Sequence, residues 1–311
     1  MIRTLVTKLA YTVVSLFVLA TATFFLMKAI PGDPFQSEKA VPPAVRANLE
    51  AKYGLDKPIM EQYVIYMKNL LRGDLGMSMK RQYWTVERVI ADSFVYSAKL
   101  GIFALLFSVT AGIGLGLLAA LKHRKALDHL TILLAVLGIS VPSFVMATLL
   151  QYLFAVKIPL FNVAGLNEPG DYVLPVLALS FMPLAYIARL TRSTTLEALS
   201  SDYIRTARSK GLSGRAIMLR HALRNSILPV VTYLGPLTAS IITGSVVVER
   251  IFGIPGLGKY FVTSVANRDY TLIMGIALFY GFLLMVARLL TDFAYVLVDP
   301  RIKLSGGKEG A

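Results

Sequence analysis

Six long apolar segments, separated by shorter polar stretches, organise the sequence. They are residues 9–30, 96–121, 129–156, 172–192, 227–248 and 271–298. A helix rises about 1.5 Å per residue and the hydrocarbon core of a bilayer is about 30 Å thick, so each segment is long enough to cross a membrane. The pattern therefore predicts an all-α integral membrane protein, residues 1–311 forming one domain with six transmembrane helices.

Composition and charge agree with a protein embedded in a lipid bilayer. Of the 311 residues 56% are hydrophobic and 16% charged, and the net charge is +14. The basic residues lie mostly between and beside the apolar segments, which argues against nucleic acid as a partner. Beyond Arg3 and Lys8 at the N-terminus, basic residues concentrate between the second and third segments (Lys122–Lys125), between the fourth and fifth (Arg189–Arg224) and after the sixth (Arg301–Lys308). These positions lie on one side of the membrane, so the positive-inside rule predicts both termini in the cytoplasm.

The first apolar segment raises the alternative of a cleaved signal peptide, because it contains Ala20-Thr21-Ala22 behind an apolar run. The run continues through "TFFLM" and is long enough to span the bilayer, so an uncleaved helix is the preferred interpretation. The chain has no cysteine, which excludes disulfides and thiolate metal sites.

A large external loop, residues 31–95, follows the first segment. Within it, apolar residues recur at helical spacing between Pro58 and Gly73, which predicts one amphipathic helix. This helix either lies on the membrane surface or packs on its own neighbours.

Small residues and prolines predict how the spans pack and bend. Every fourth residue of the second segment is small, and these residues share one helix face that another helix can approach closely. They are Ala104, Ser108, Gly112, Gly116 and Ala120. Prolines within the third to fifth segments predict bends or irregular starts. They are Pro142, Pro175, Pro183, Pro229 and Pro236.

No catalytic, cofactor-binding or metal-binding set stands out in the sequence. "GIPGLGKY", residues 253–260, resembles a phosphate-binding loop but follows an apolar span instead of a strand, and Tyr260 replaces the hydroxyl residue that binds magnesium. Neither Gly-x-Ser-x-Gly nor His-Glu-x-x-His occurs. The stretch is interpreted as an external turn built on Gly253, Pro255, Gly256 and Gly258.

An ion-coupled carrier is expected to keep ionisable residues near the middle of the membrane. The sequence offers one candidate pair, Arg288 and Asp292, which are four residues apart and so lie on one helix face. Their place near the cytoplasmic end of the last span favours an interface anchor over a role in transport.

The cytoplasmic stretch 193–226 combines basic residues with capping signals. Ser201 and Asp202 are suitable N-caps for a short helix through Lys210, Gly211 suits its end, and Ser213 can cap a second helix running toward Pro229. Tyr203 and Ala207 are predicted to share one side of the first helix.

This stretch resembles the cytoplasmic loop of binding-protein-dependent ABC importer permeases of the dipeptide and oligopeptide class. The quoted motif is "DYIRTARSKGL…HALRNSILPVV": Arg205, Thr206 and Ala207 stand at the family's Glu-Ala-Ala positions, Gly211 at its glycine, and Leu228-Pro229 at its end. The absent glutamate and the longer spacing fit the peptide class. Further stretches resemble the oligopeptide permease B type, namely "PGDP", "YGLDKPIMEQYVIYMKNLLRGDLGMS", "VPSF", "ERIFGIPGLGKYF" and "DFAYVLVDPRIK". Arg288 departs from this resemblance, because similar proteins carry a neutral asparagine there.

The resemblance implies a type I ABC importer permease fold and a non-catalytic subunit of an ATP-driven importer in the bacterial inner membrane. Its implied partners are a second related permease, two cytoplasmic ATPases and an external solute-binding protein. The implied ATPase-coupling residues are Tyr203, Arg205, Thr206, Ala207, Arg208, Gly211 and Pro229, with Gly253 to Gly258 near the outer mouth of the pathway. Peptides are the expected cargo, with nickel, haem or another solute, or an ion-coupled secondary transporter, as alternatives.

Overall fold

The computed structural model describes residues 2–30, 35, 43–81, 83–242 and 246–298, with the backbone alone at 2–5, 43, 239, 242 and 292–298. Regular structure in these residues is helical, apart from one isolated antiparallel bridge between Met77 and Thr85. The chain forms two compact units. Unit I comprises Ala98–Ile254 and the residues from Val286 onward, and unit II comprises Ile2–Ser97 and Pro255–Met285.

Unit II is built on helices from both halves of the chain. They are α1 (Ile2–Ala29), α2 (Pro43–Lys52), α3 (Ile59–Leu71), the start of α4 (Val86–Leu121), α13 (Leu257–Asn267) and the start of α14 (Tyr270–Val298). Its core contains Val86, Val89 and Ile90 of α4 with Leu257, Leu272 and Ile276. The predicted amphipathic helix is α3, and it packs on its own neighbour: Tyr66 stacks on Phe24 of α1, and the hydroxyls of Tyr63 and Thr21 are 2.8 Å apart.

Unit I contains the rest of α4 and most of the remaining helices. They are α5 (Ala126–Ser140), α6 (Ser143–Gln151) continued by a π-helical segment (Tyr152–Lys157), α7 (Val173–Ser200), α8 (Asp202–Ser209), α9 (Gly214–Ala216), a second π-helical segment (Ile217–Ala222), α10 (Leu223–Ser226), α11 (Leu228–Ile242) and α12 (Val246–Ile251).

The small-residue face of α4 packs against α7. Ala104 and Ser108 are fully buried, and the Ser180 hydroxyl of α7 donates a hydrogen bond of 3.1 Å to the carbonyl oxygen of Ala104. A Cβ added to Gly116 would lie 2.6 Å from the carbonyl oxygen of Ala188. The predicted close helix approach is therefore confirmed, because no larger residue fits between these backbones.

The third apolar segment is broken at Val141–Pro142, where α5 and α6 meet at a bend of 105°. Pro142 has no N–H to continue the helix, and its carbonyl accepts hydrogen bonds from Val145 and Met146 at the start of α6. The bend predicted from this proline is confirmed, and residues 129–156 are not one straight helix.

Four described helical segments are long and apolar enough to cross a membrane, and the bent pair α5–α6 raises the number to five if it forms one span. The four are Val6–Ala29, Val86–Leu121, Pro169–Ser200 and Tyr270–Thr291. Within the fifth predicted segment, the apolar helical stretch Leu228–Thr238 is shorter. The described residues thus form a helical protein with four or five segments that are long and apolar enough to span a membrane, and the number six stays a prediction.

Helices α4 and α7 each extend beyond the predicted apolar segment into a polar stretch. Helix α4 begins at Val86, ten residues before the predicted span, and the Thr85 hydroxyl accepts a hydrogen bond of 3.3 Å from the Arg88 N–H at its start. Helix α7 runs through Ser200 and not 192, so the connecting loop toward α11 begins at Ser201.

Candidate functional site

Helix α8 follows α7 after a single residue, Ser201. The Ser201 N–H and hydroxyl both donate to the carbonyl oxygen of Ala198, at 3.2 and 2.5 Å, and its own carbonyl accepts from the Ile204 N–H at 3.1 Å. Ser201 is the N-cap of α8, as predicted, although its hydroxyl bonds backward to α7 instead of forward to α8. The two helices are consequently joined by a hydrogen-bonded corner one residue long.

Gly211 ends α8 in the left-handed conformation, with φ of +78°. The Gly211 N–H donates to the carbonyl of Arg208 at 2.9 Å and the Leu212 N–H to the carbonyl of Ala207 at 3.3 Å. This pair of bonds is the Schellman arrangement, in which glycine avoids the strain that a Cβ brings at positive φ. The stop predicted at Gly211 is confirmed.

The returning segment starts at Ser213, whose hydroxyl accepts a hydrogen bond of 3.3 Å from the Ala216 N–H. The predicted cap is therefore confirmed. The chain then continues through the π-helical segment and α10 to α11, where Pro229 is the second residue and half-buried. In a π-helix residues five apart lie close on one face, so Ile217 and Ala222 are both buried on the side of α8.

An apolar cluster, here called the seat, holds α8 against the rest of unit I. Its buried members are Ala198, Ile204, Ala207, Ile217, Met218 and Ala222. Tyr203 and Ala207, one turn apart, differ in exposure: Tyr203 is 41% exposed, whereas Ala207 is 5% exposed. Ala207 contacts its own chain because its side of α8 faces the seat.

The open face of α8 is polar and basic. Tyr203, Arg205, Thr206, Arg208 and Gly211 are exposed. Arg205 forms a pair of 3.1 Å with Asp202 in which both side chains are exposed, and such pairs contribute little stability. The phenol oxygen of Tyr203 accepts a hydrogen bond of 3.0 Å from Nδ2 of Asn225, which ties α8 to α10. Because Arg205 and Arg208 are exposed and the Arg205–Asp202 pair is weak, both arginine side chains can turn toward a partner surface.

A buried ionic cluster, here called the Asp128 cluster, lies at the turn between α4 and α5. Asp128 is 1% exposed. Nε of Arg192 donates to its Oδ1 and Nη2 donates to its Oδ2 at 2.9 Å. Nδ1 of His123 and the Arg124 N–H also donate to Oδ2, at 3.0 and 2.9 Å. Sequence reasoning missed this cluster, because Arg192 is 64 residues from Asp128 and no local motif connects them.

The "GIPGLGKY" stretch is a helix end followed by a helix start. In unit I, Gly253 ends α12 with φ of +65°. A Cβ added to Gly253 would lie 3.3 Å from Cβ of Ala164. In unit II, Gly256 is the N-cap of α13, and Gly256 and Gly258 are buried while Pro255 is half-buried. The element before Gly253 is a helix and not a strand, so the arrangement of a phosphate-binding loop is absent from this part of the chain.

The predicted pair in the last span lies partly outside the described residues. Arg288 is exposed on α14, whereas Asp292 is among the helix residues whose side chains the structure does not describe. Across the described residues, no group of three or more His, Asp or Glu side chains is arranged to hold a metal ion.

Comparisons with known proteins identify the class. Residues 112–304 match the family described as "Binding-protein-dependent transport system inner membrane component", and residues 1–98 match the N-terminal component of the same systems. The chain belongs to this family of inner-membrane permeases. It is therefore a multi-pass membrane subunit of a transport system.

Named relatives cover nearly the whole chain. It is 49% identical over 290 residues to the dipeptide transport system permease protein DppB of Bacillus subtilis, covering 93% of this chain and 94% of the relative. It is 44% identical over 291 residues to the oligopeptide transport system permease protein OppB of Salmonella typhimurium, covering 93% and 95%. It is 40% identical over 304 residues to DppB of Lactococcus lactis, covering 98% and 100%.

The fold also resembles that of a solved transporter. A chain from the crystal structure of an amino acid ABC transporter with histidines superimposes with a TM-score of 0.53 at 20% identity, covering 67% of this chain and 92% of that chain. At this identity the likeness concerns the fold alone.

Proposed function

We propose that this chain is one of two related permease subunits that together form the membrane pathway of an ATP-driven importer. In this proposal it crosses the inner membrane six times with both termini in the cytoplasm. The 31–95 region lies outside and receives a solute-binding protein, and two ATPase subunits bind on the cytoplasmic side. Membership of a binding-protein-dependent transport family supports this assembly.

The observation that carries the proposal is the form of α8. It is a short helix fixed on its inner side by the seat and joined to α7 by a hydrogen-bonded corner, yet it exposes Tyr203, Arg205 and Arg208. A helix held this way transmits the rigid-body motion of a bound partner, whereas a flexible loop would dissipate it. We assign this exposed face, with Thr206 and Gly211, to the ATPase.

ATP hydrolysis belongs to the partner subunits in this proposal. The only stretch that approaches a phosphate-binding motif is "GIPGLGKY", and it lacks the preceding strand and the hydroxyl residue that such a loop needs. The proposed topology also places Lys259 outside the membrane, away from cytoplasmic ATP.

Peptides are the proposed cargo. Relatives at 49%, 44% and 40% identity bear names that specify dipeptide or oligopeptide transport, and all three alignments cover more than nine-tenths of this chain. Nickel, haem and other solutes remain the alternatives, because the external binding protein is expected to select the solute.

Reconstitution tests the proposal. The chain is placed in proteoliposomes with its second permease, its ATPases and its binding protein, and uptake of radiolabelled di- and oligopeptides, Ni²⁺ and haem is measured. Peptide uptake is expected only with hydrolysable ATP and all components, and the binding protein loaded with peptide is expected to raise ATP hydrolysis. Uptake by the single chain along an ion gradient would instead identify a secondary transporter.

A further inference from the structure

We propose that Asp128 is a positioning residue for the transport cycle: by holding Arg192 it fixes the α4–α5 turn to α7, so that α8, α7 and this turn move as one body. The inference rests on the proposed function, because it concerns how motion from α8 enters the membrane helices. All of its residues lie in unit I.

The carboxylate of Asp128 is fully engaged. Arg192 binds both of its oxygens, and His123 and the Arg124 N–H bind Oδ2 as well. A buried charge is stable only when it is paired and hydrogen-bonded, and a two-point arginine–carboxylate pair also fixes orientation. The connection between Asp128 and Arg192 is therefore hard to break while both helices stay packed.

Arg192 lies close to α8 along a continuous helix. Ser200, the last residue of α7, is eight positions after Arg192, which is about 12 Å along the helix. Only Ser201 follows before α8 begins, and its N–H and hydroxyl both bond to Ala198. A displacement of α8 consequently reaches Arg192 without passing through a flexible linker.

The turn on the other side of the cluster depends on the same carboxylate. Arg124 has φ of +62°, a conformation that non-glycine residues adopt only at a cost. Its N–H is held by Asp128 at 2.9 Å. The Asp128 carboxylate thus stabilises both the strained turn and the arginine of α7.

The two helices that leave this turn continue to follow α7. Gly116 of α4 lies against Ala188, and an added Cβ at Gly138 of α5 would lie only 2.4 Å from Cβ of Ala185. The Asp128 cluster therefore closes one end of a packed three-helix group. Without it, α7 and α8 can shift while the α4–α5 turn remains behind, and ATP would be hydrolysed without a full transport stroke.

The first test measures transported solute per ATP hydrolysed in the reconstituted complex. Asp128→Asn is expected to lower this ratio about tenfold, a typical size for coupling between two sites. The matched control is Asp171→Asn. Asp171 is another buried carboxylate, and it lies just before α7 begins, at the end of the helix far from Arg192. That carboxylate accepts from Nδ2 of Asn162 at 2.8 Å and from the N–H groups of Asn167 and Glu168 at 2.7 and 2.9 Å. The control is expected to keep the ratio, and equal ratios in both variants would overturn the inference.

The second test measures the single body directly in the chain that keeps Asp128, and then in the Asp128→Asn variant. The chain has no cysteine, so cysteines placed at exposed Lys125 and Ser209 accept spin labels at these two sites alone. In the assembled complex, the distance between the labels is expected to be the same without nucleotide and with trapped ATP. A nucleotide-dependent distance in the otherwise unmodified chain would disprove the single body, and Asp128→Asn is expected to introduce such a dependence.

The two proposals fail in different ways. If the unmodified complex shows no ATP-driven uptake of any solute, the proposed function is wrong. If it transports normally and Asp128→Asn transports as much solute per ATP, only the role of Asp128 is wrong.

Discussion

Gly116 of α4 and Ala188 of α7 are in direct backbone contact, since a Cβ on the glycine would lie 2.6 Å from the alanine carbonyl oxygen. Gly116→Ala is therefore expected to push the helices apart and to lower the free energy of unfolding by about 1–3 kcal/mol, the usual cost of overpacking. Thermal unfolding in detergent measures the change.

Gly114 provides the matched control for this substitution. It is on the same helix, and an added Cβ there meets nothing within 4 Å. Gly114→Ala is expected to leave stability unchanged or to raise it by up to about 1 kcal/mol, because alanine favours a helix over glycine. Similar losses in the two variants would show that the contact with Ala188 does not decide the result.

Substitutions of Gly211 are expected to lower stability through backbone strain and not through steric contact within the chain. Its φ is +78° and an added Cβ meets nothing within 4 Å. Gly211→Ala is expected to cost about 1 kcal/mol through the left-handed conformation, while Gly211→Asn costs less because asparagine tolerates it. Hydrogen exchange of the Leu212 amide reports the fraying of α8. Equal exchange in both variants would contradict this account.

Ala207→Glu is expected to release α8 from the seat even in the isolated chain. The substitution places a carboxylate among apolar side chains, whereas the neighbouring Thr206 is exposed. Limited proteolysis of the purified single chain is expected to cleave Ala207→Glu faster between residues 201 and 226, with Thr206→Glu cleaved like the unmodified chain. An effect of Ala207→Glu that appears only with the ATPases present would place Ala207 at the partner interface instead.

Arg208→Glu tests the exposed face of α8 without disturbing its fold. Arg208 is exposed, so the reversal of charge is expected to leave unfolding unchanged and to weaken association with the ATPases. Pull-down of the ATPases at low and high salt measures this, with Arg208→Lys as the control that keeps the charge. Undiminished binding of the glutamate variant would remove Arg208 from the proposed interface.

Local signals in the sequence predicted local structure well. The end of α8 at Gly211, the cap at Ser213, the small-residue face of α4 and the break at Pro142 each follow from the conformational limits or the size of one residue type. Those limits act within a few residues, so they are visible without knowledge of the fold.

Features that depend on distant partners were not predictable in this way. The burial of Ala207 depends on Ile217 and Ala222, and the pairing of Asp128 depends on Arg192, 64 residues away. The length of the apolar segment did not predict that α4 begins at Val86, because only one side of the first turns of the helix is apolar. Val86 and Val89 are buried, whereas Asp92 is exposed. Amphipathic ends of long spans therefore need a test for periodicity as well as for apolarity.

The contact between α4, α5 and α7 limits how this protein can be engineered. Replacing glycine with alanine is a common route to more heat-resistant membrane proteins for structural work. Added methyl groups at Gly112, Gly116 and Gly138 would lie 2.9, 2.6 and 2.4 Å from atoms of α7, so this route is closed there and open at Gly114. Directed stabilisation of the chain should leave these three glycines untouched.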